Sequence, residues 1–126
     1  MQNINIYQIF TRLYGACSPA KNKVNGSIAD NGVAKFNDFT AEKLQRIKDY
    51  GFSHVWFTGV LEHATQTDYS KFGIRQDHPW IVKGKAGSPY AIKDYFDVDP
   101  DLAEDVSQRM AEFEALVART HKAELK

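Results

Sequence analysis

Leu44-Gln45-Arg46-Ile47-Lys48-Asp49-Tyr50-Gly51-Phe52-Ser53-His54-Val55-Trp56-Phe57-Thr58 is the stretch that decides the fold. Its first half is helical. Leu44 and Ile47 lie three apart on one inner stripe, and Asp38 or Thr40 upstream can cap a helix that runs to about Tyr50. Gly51 supplies a left-handed stop. Residues 52–58 then form a short apolar, β-branched and aromatic run, a strand covered on both faces. Upstream, Ile4-Asn5-Ile6-Tyr7-Gln8-Ile9-Phe10 reads the same way, as a buried strand. Strand, helix, strand in this order is a βαβ unit, with parallel strands and a right-handed crossover.

Outward from that unit the chain alternates elements with long connections. Residues 15–35 hold the turn signals Ser18-Pro19, Asn25-Gly26 and Asn31-Gly32, and read as a loop longer than most in compact domains. A second long loop covers residues 59–103. A helix then follows over residues 104–121, with Val106, Met110, Phe113 and Val117 at steps of four, three and four as its core stripe. The fold class is therefore α/β, ordered β-α-β-α, with both oversized loops following strands. In α/β folds the loops at the carboxyl ends of parallel strands build the sites.

Bulk properties narrow the function. The chain has 126 residues, 43% hydrophobic and 25% charged, which is globular rather than disordered. Sixteen basic and sixteen acidic side chains cancel, so there is no cationic footprint for nucleic acid. No apolar run approaches the ~20 residues of a membrane helix. The N-terminus lacks a basic-then-apolar signal sequence, and a cytoplasmic location is the expectation. The lone Cys17 has no internal disulfide partner and no base beside it in sequence, so it reads as an incidental thiol. Asn25-Gly26-Ser27 matches a glycosylation sequon that chance often produces.

The second loop carries the chemical signal. Tyr90-Ala91-Ile92-Lys93-Asp94-Tyr95-Phe96-Asp97-Val98-Asp99-Pro100 sets three aromatics and three isolated carboxylates before a proline. That is more acid than a core strand carries and more aromatic than an ordinary loop. Rings beside carboxylates suit a sugar, which has an apolar face to stack and a polar rim to hydrogen-bond. The same residues could also simply close a loop over the core.

The chain resembles the N-terminal part of the catalytic barrel of the alpha-amylase family, glycoside hydrolase family 13. Ile6-Tyr7-Gln8-Ile9-Phe10 is similar to that family's first barrel strand, and Leu44 to Thr58 to its first helix and second strand. Tyr90, Asp94-Tyr95 and Asp99-Pro100 reproduce its spacing Y-x-x-x-D-Y-x-x-x-D-P. Phe113, Leu116, Val117 and His121 follow its pattern F-x-x-L-V-x-x-x-H. Two departures leave subgroup and substrate open: Gly59 stands where many members have proline, and the stretch after Pro100 lacks F-G-T.

The resemblance implies that residues 1–126 are about the first quarter of a (β/α)8 TIM barrel, an incomplete domain. The intact protein would be a retaining enzyme on α-linked glucans or related α-glucosides. The family's catalytic carboxylates lie on later strands, so the resemblance implies no catalytic residue in this chain and no activity for it alone. Calcium is a cofactor that the resemblance allows in an intact member; the chain itself shows no metal motif. Tyr90 would be the platform that stacks on the sugar, the alternative being a ring packed on Phe10 or Trp56. Asp94 and Asp99 would hold the loop, by accepting backbone N–H groups or pairing with Arg12, and Tyr95 would be core. His63 and His78, in the second loop, either line a cleft or face solvent. Neither Asp97 with Asp99 nor Glu62 with Asp94 suits a glycosidase acid pair, which needs opposed carboxyls from separate elements. Gly84-Lys85-Ala86-Gly87-Ser88 reads as a flexible loop and not a phosphate cradle. The competing function is a non-catalytic binding or assembly module with the same origin. Either way, the open strand edges predict a homodimer or larger species.

Overall fold

The computed structural model describes residues 3–14 and 23–126. Cys17 and the Ser18-Pro19 turn signal lie outside the described residues. Strand β1 spans Ile6–Phe10 and a single-turn helix α1 spans Ile28–Asn31. Helix α2 is Ala41–Asp49 and strand β2 is His54–Thr58. Strands β3, Leu61–His63, and β4, Ile92–Val98, follow, and helix α3, Arg109–Lys122, is the last.

The βαβ unit stands as expected. The Thr40 side chain accepts the Lys43 N–H and starts α2, while Gly51, at φ 90°, takes the left-handed turn that ends it. β1 and β2 pair in parallel with Ile6 opposite His54 and Gln8 opposite Trp56. β2 also has a neighbour on its other edge. The Val55 N–H donates to the Lys126 carbonyl at 2.9 Å and the Lys126 N–H donates to the Ser53 carbonyl at 3.1 Å. That is the alternating pattern of a parallel bridge.

Side chains alternate across a strand, so Ile9, Val55 and Phe57 face the helices. There they meet Phe36, Phe39, Leu44, Ile47, Leu116 and Leu125 in one core. Phe39 stacks on Tyr14 at 5.1 Å and meets Phe57 edge-on at 5.2 Å. Arg119 locks α3 onto this layer by donating to the carbonyls of Phe39, at 3.1 Å, and Phe36, at 2.7 Å. The other face of the parallel pair departs from the expectation of two-sided cover: Ile6 is 56% and Trp56 55% exposed.

Two expected loops contain structure. Within residues 15–35, Ser27 and Asp30 form a reciprocal capping box that nucleates α1. The second excursion, expected as loop over residues 59–103, is built on the antiparallel pair β3–β4. The acid-rich segment is thus a strand, because its acids are accommodated one by one. Asp94 accepts the Phe96 N–H at 2.7 Å, Asp97 is held by Arg109, and Asp99 is buried beside His63. Tyr95, expected in the core, is exposed on this ribbon together with Phe96.

α3 begins at Arg109 and not at residue 104. Glu112 accepts the N–H groups of Glu104 and Asp105, and Asp105 accepts that of Ser107, which holds a 3-10 turn before the helix. The inner face is consequently Phe113, Leu116 and Thr120, with Met110 outside it. Thr120 is tolerated there because its hydroxyl donates to the Leu116 carbonyl at 2.9 Å. Among the described residues, no helix is long and apolar enough to cross a membrane.

Candidate functional site

The carboxyl ends of β1 and β2 carry the polar machinery of the chain. β2 ends at Thr58, whose hydroxyl accepts the Gln8 side-chain N–H at 2.9 Å. The next residue, Gly59, has φ 81°, and a Cβ on it would stand 2.6 Å from the Pro89 Cβ. Only glycine fits both the backbone angle and the approach. This contact brings Pro89, and with it Tyr90, back to the end of the second parallel strand. Farther along, the Asp99 N–H donates to the Val60 carbonyl at 2.8 Å, so both sides of the ribbon are fastened there.

Tyr90 is 72% exposed. It borders an open depression of about 620 Å³ that Asn25, Lys83, Gly87 and Ser88 also line. The turn before it is clamped from β1. Arg12, in the 3-10 turn after Phe10, donates to the carbonyls of Ala86 at 2.8 Å and Gly87 at 3.2 Å. His63 lies under the same turn, 1% exposed, with Nε2 3.2 Å from the Ala86 carbonyl oxygen. His63 is thus neither a solvent-facing loop residue nor a cleft wall; it supports the turn from below. Arg12 spends its donors on these partners and pairs with neither Asp94 nor Asp99.

Behind His63 sits a buried acid group. His63 Nδ1 faces Asp99 Oδ2 at 3.4 Å, and Asp101 lies two residues on, accepting the Tyr69 hydroxyl. Burial, and then the charge of Asp101, pushes Asp99 up to about 8. Burial raises Asp101 too, while burial and the Arg12 guanidinium lower His63. At neutral pH the consistent arrangement is a protonated Asp99 and a neutral His63. His63 Nδ1 and Asp99 Oδ2 face each other without a hydrogen bond between them, while Nε2 lies 3.2 Å from both the Ala86 carbonyl oxygen and the Arg12 guanidinium. Arg12 and His63 thus support the turn that presents Tyr90, with Asp99 buried behind the imidazole. No sequence pattern marked it, since its members are 36 to 87 residues apart and lie on a three-residue strand and two turns.

Asp94 and His78 line a different cleft. It holds about 610 Å³ on the other flank of the ribbon, with Glu62, Asp77, Lys93 and Arg109 around it. Lys93 bridges Glu62 and Asp77 at 3.0 Å each, and the Arg109 Nε donates to Asp97 at 2.9 Å. Tyr90 and the pair Asp94 and His78 thus belong to two separate depressions. Among the described residues, no group of three or more His, Cys, Asp or Glu side chains could hold a metal ion.

No family model matches the chain. In sequence it is similar to the 1,4-alpha-glucan-branching enzyme of Emericella nidulans, at 31% identity over 71 residues, 56% of this chain and 10% of that protein. The enzyme of the same name from Eremothecium gossypii is 29% identical over 65 residues, 52% of this chain and 9% of that one. In structure it is similar to a maltogenic alpha-amylase from Thermotoga neapolitana, with a TM-score of 0.57 and 25% identity. That match covers 99% of this chain and 22% of the amylase. The chain therefore spans about a tenth of the length of the branching enzymes it matches.

Proposed function

Because the chain is related to the alpha-amylase family, glycoside hydrolase family 13, we propose that it supplies the first quarter of a (β/α)8 barrel that works on α-linked glucans. In this reading the whole protein is a retaining enzyme that cleaves or transfers an α-glucosyl group. Residues 1–126 contribute the sugar platform, Tyr90, and none of the catalytic carboxylates. The observation that carries the reading is the placement of Tyr90. Its ring is exposed and is tied to the end of β2 by the Pro89–Gly59 approach, and its turn is held by Arg12 and His63.

A flat ring fixed on a rigid turn suits catalysis at a sugar because the transition state is a flattened, oxocarbenium-like ring. A stacking face orients that ring without competing for its hydroxyls, and a clamped turn keeps it within the few tenths of an ångström that orientation demands. The parallel bridge at Lys126 supports the barrel part of the reading, since it extends the sheet in the sense that a third barrel strand would take.

The test is Tyr90→Ala and Tyr90→Phe in the polypeptide that carries the remaining strands. The alanine variant loses roughly two or more orders of magnitude in turnover on maltooligosaccharides, while phenylalanine retains most of it. An unchanged rate for Tyr90→Ala removes Tyr90 from the site.

A further inference from the structure

We propose that the cleft lined by Asp94 and His78 is a second carbohydrate-binding site, with Trp80 as its stacking face and an α-glucan chain as its ligand. The choice of glucan over other neutral polyols rests on the function proposed above; the site itself rests on its own geometry. Trp80 is 93% exposed, an unusual position for a residue with so much apolar surface. It stands on a single 3-10 turn, Pro79–Ile81, whose start is capped by His78: the Trp80 N–H donates to His78 Nδ1 at 3.2 Å. The two rings meet edge to face at 5.3 Å. His78 and Ile81 both line the cleft, and Trp80 lies between them on the same turn.

The cleft floor decides the ligand class. Its charges nearly balance: Lys93 pairs with Glu62 and Asp77, Arg109 pairs with Asp97, and Arg75 and Asp94 add one charge of each sign. An ionic ligand would have to break these pairs, and a purely apolar one would leave them unsolvated. What remains open is the hydrogen-bonding capacity of Asp94 and Arg75, whose opposite charges offset one another. Asp94 accepts the Phe96 N–H through one oxygen, His78 accepts the Trp80 N–H through Nδ1, and both line the cleft. Acceptors and donors around a depression of about 610 Å³, with a flat ring at the edge, match a neutral polyhydroxylated ring. Tyr90 borders the other depression, so the two sites could be occupied by different parts of one chain or by different chains.

The protein has two tryptophans, which gives a direct readout. With Trp56→Phe, Trp80 is the sole indole, and titration with maltoheptaose up to about 20 mM should give a saturable emission change with a millimolar or tighter Kd. Trp80→Phe, which leaves Trp56, should give none. Adding Asp94→Asn to Trp56→Phe should weaken the binding about fivefold or more. Calorimetry on the unmodified protein and on Trp80→Ala repeats the comparison should Trp56→Phe fold poorly. Absence of saturable binding overturns the proposal, and so does binding that Trp80→Ala leaves intact. A response abolished by Tyr90→Ala also overturns it, by moving the ligand to the Tyr90 depression while leaving the proposed function standing. Competition by inorganic phosphate overturns the neutral-ligand assignment. Loss of turnover in Tyr90→Ala is read separately, so the two proposals fail independently.

Discussion

A Cβ on Gly87 would stand 1.8 Å from the carbonyl oxygen of Ala64. The backbone of the Tyr90 turn thus lies directly against the residue that follows β3, at φ 75°, and Arg12 and His63 fasten the turn in that position. Gly87→Ala therefore collides with backbone, not with a side chain that can swing away. We expect it to cost about 2–4 kcal/mol, the range of a strained special backbone position with a steric clash. A chemical-denaturation midpoint within error of the parent protein would show that the turn relaxes freely.

Arg12 makes a separable contribution. Arg12→Lys keeps the charge but loses the fork that serves two carbonyls at once. We expect about 1–2 kcal/mol of destabilisation. Proteolysis should become faster within residues 83–90, while β1 and β2 stay protected. Uniform protection in hydrogen exchange would indicate that His63 alone holds the turn.

How much of this was legible in the sequence depended on whether the signal was local. Leu44, Ile47, Thr40 and Gly51 announce α2 and its ends within twelve residues, and β1 and β2 announce themselves by β-branched and aromatic density. β4 was obscured because its acids looked unburiable. Their partners, Arg109 for Asp97 and His63 for Asp99, come from elsewhere in the chain and cannot be read from the strand itself. The same holds for Gly87, which looked like one more residue of a flexible Gly-Lys-Ala-Gly-Ser loop. Its need for glycine arises from Ala64, 23 positions away. Tyr90 could be placed on the strand-end face from topology alone, but the clamp beneath it could not.

The Asp99–His63 pair gives the protein a pH signature. Asp99 has its folded pKa raised, so the stability it confers is full below the unfolded carboxyl value near 4 and is lost as pH rises toward about 8. His63 has its folded pKa lowered, which makes stability fall as pH drops below the ordinary imidazole value near 6.5. The two slopes oppose each other just below pH ~6.5, and above it the slope of the raised carboxyls, Asp99 with Asp101, acts without the His63 slope against it. The melting temperature should accordingly fall from pH 6.5 to pH 8, by at most about 1.4 kcal/mol of stability per pH unit for one group. Asp99→Asn should flatten that fall. A flat profile in the parent protein would mean that Asp99 is ionised throughout.

Self-association is the expected consequence of the uncovered sheet face. Ile6 and Trp56 point away from the helices, on a pair of strands whose β1 edge has no neighbour among the described residues. Apolar side chains and unpaired backbone groups side by side favour docking against a second copy, most simply with two-fold symmetry. Covering both residues on two chains removes enough apolar surface to outweigh the loss of free rotation only if neighbouring residues are buried with them, so the complex should be weak. Sedimentation of the 126-residue chain should show a dimer or larger species at tens of micromolar and dissociation on dilution. Trp56→Lys should shift the protein toward monomer without lowering its melting temperature, since the substituted side chain lies outside the core. A monomer at every concentration, with a melt independent of concentration, would show that this face stays solvated and that the stability of the chain comes from the helix-covered layer alone.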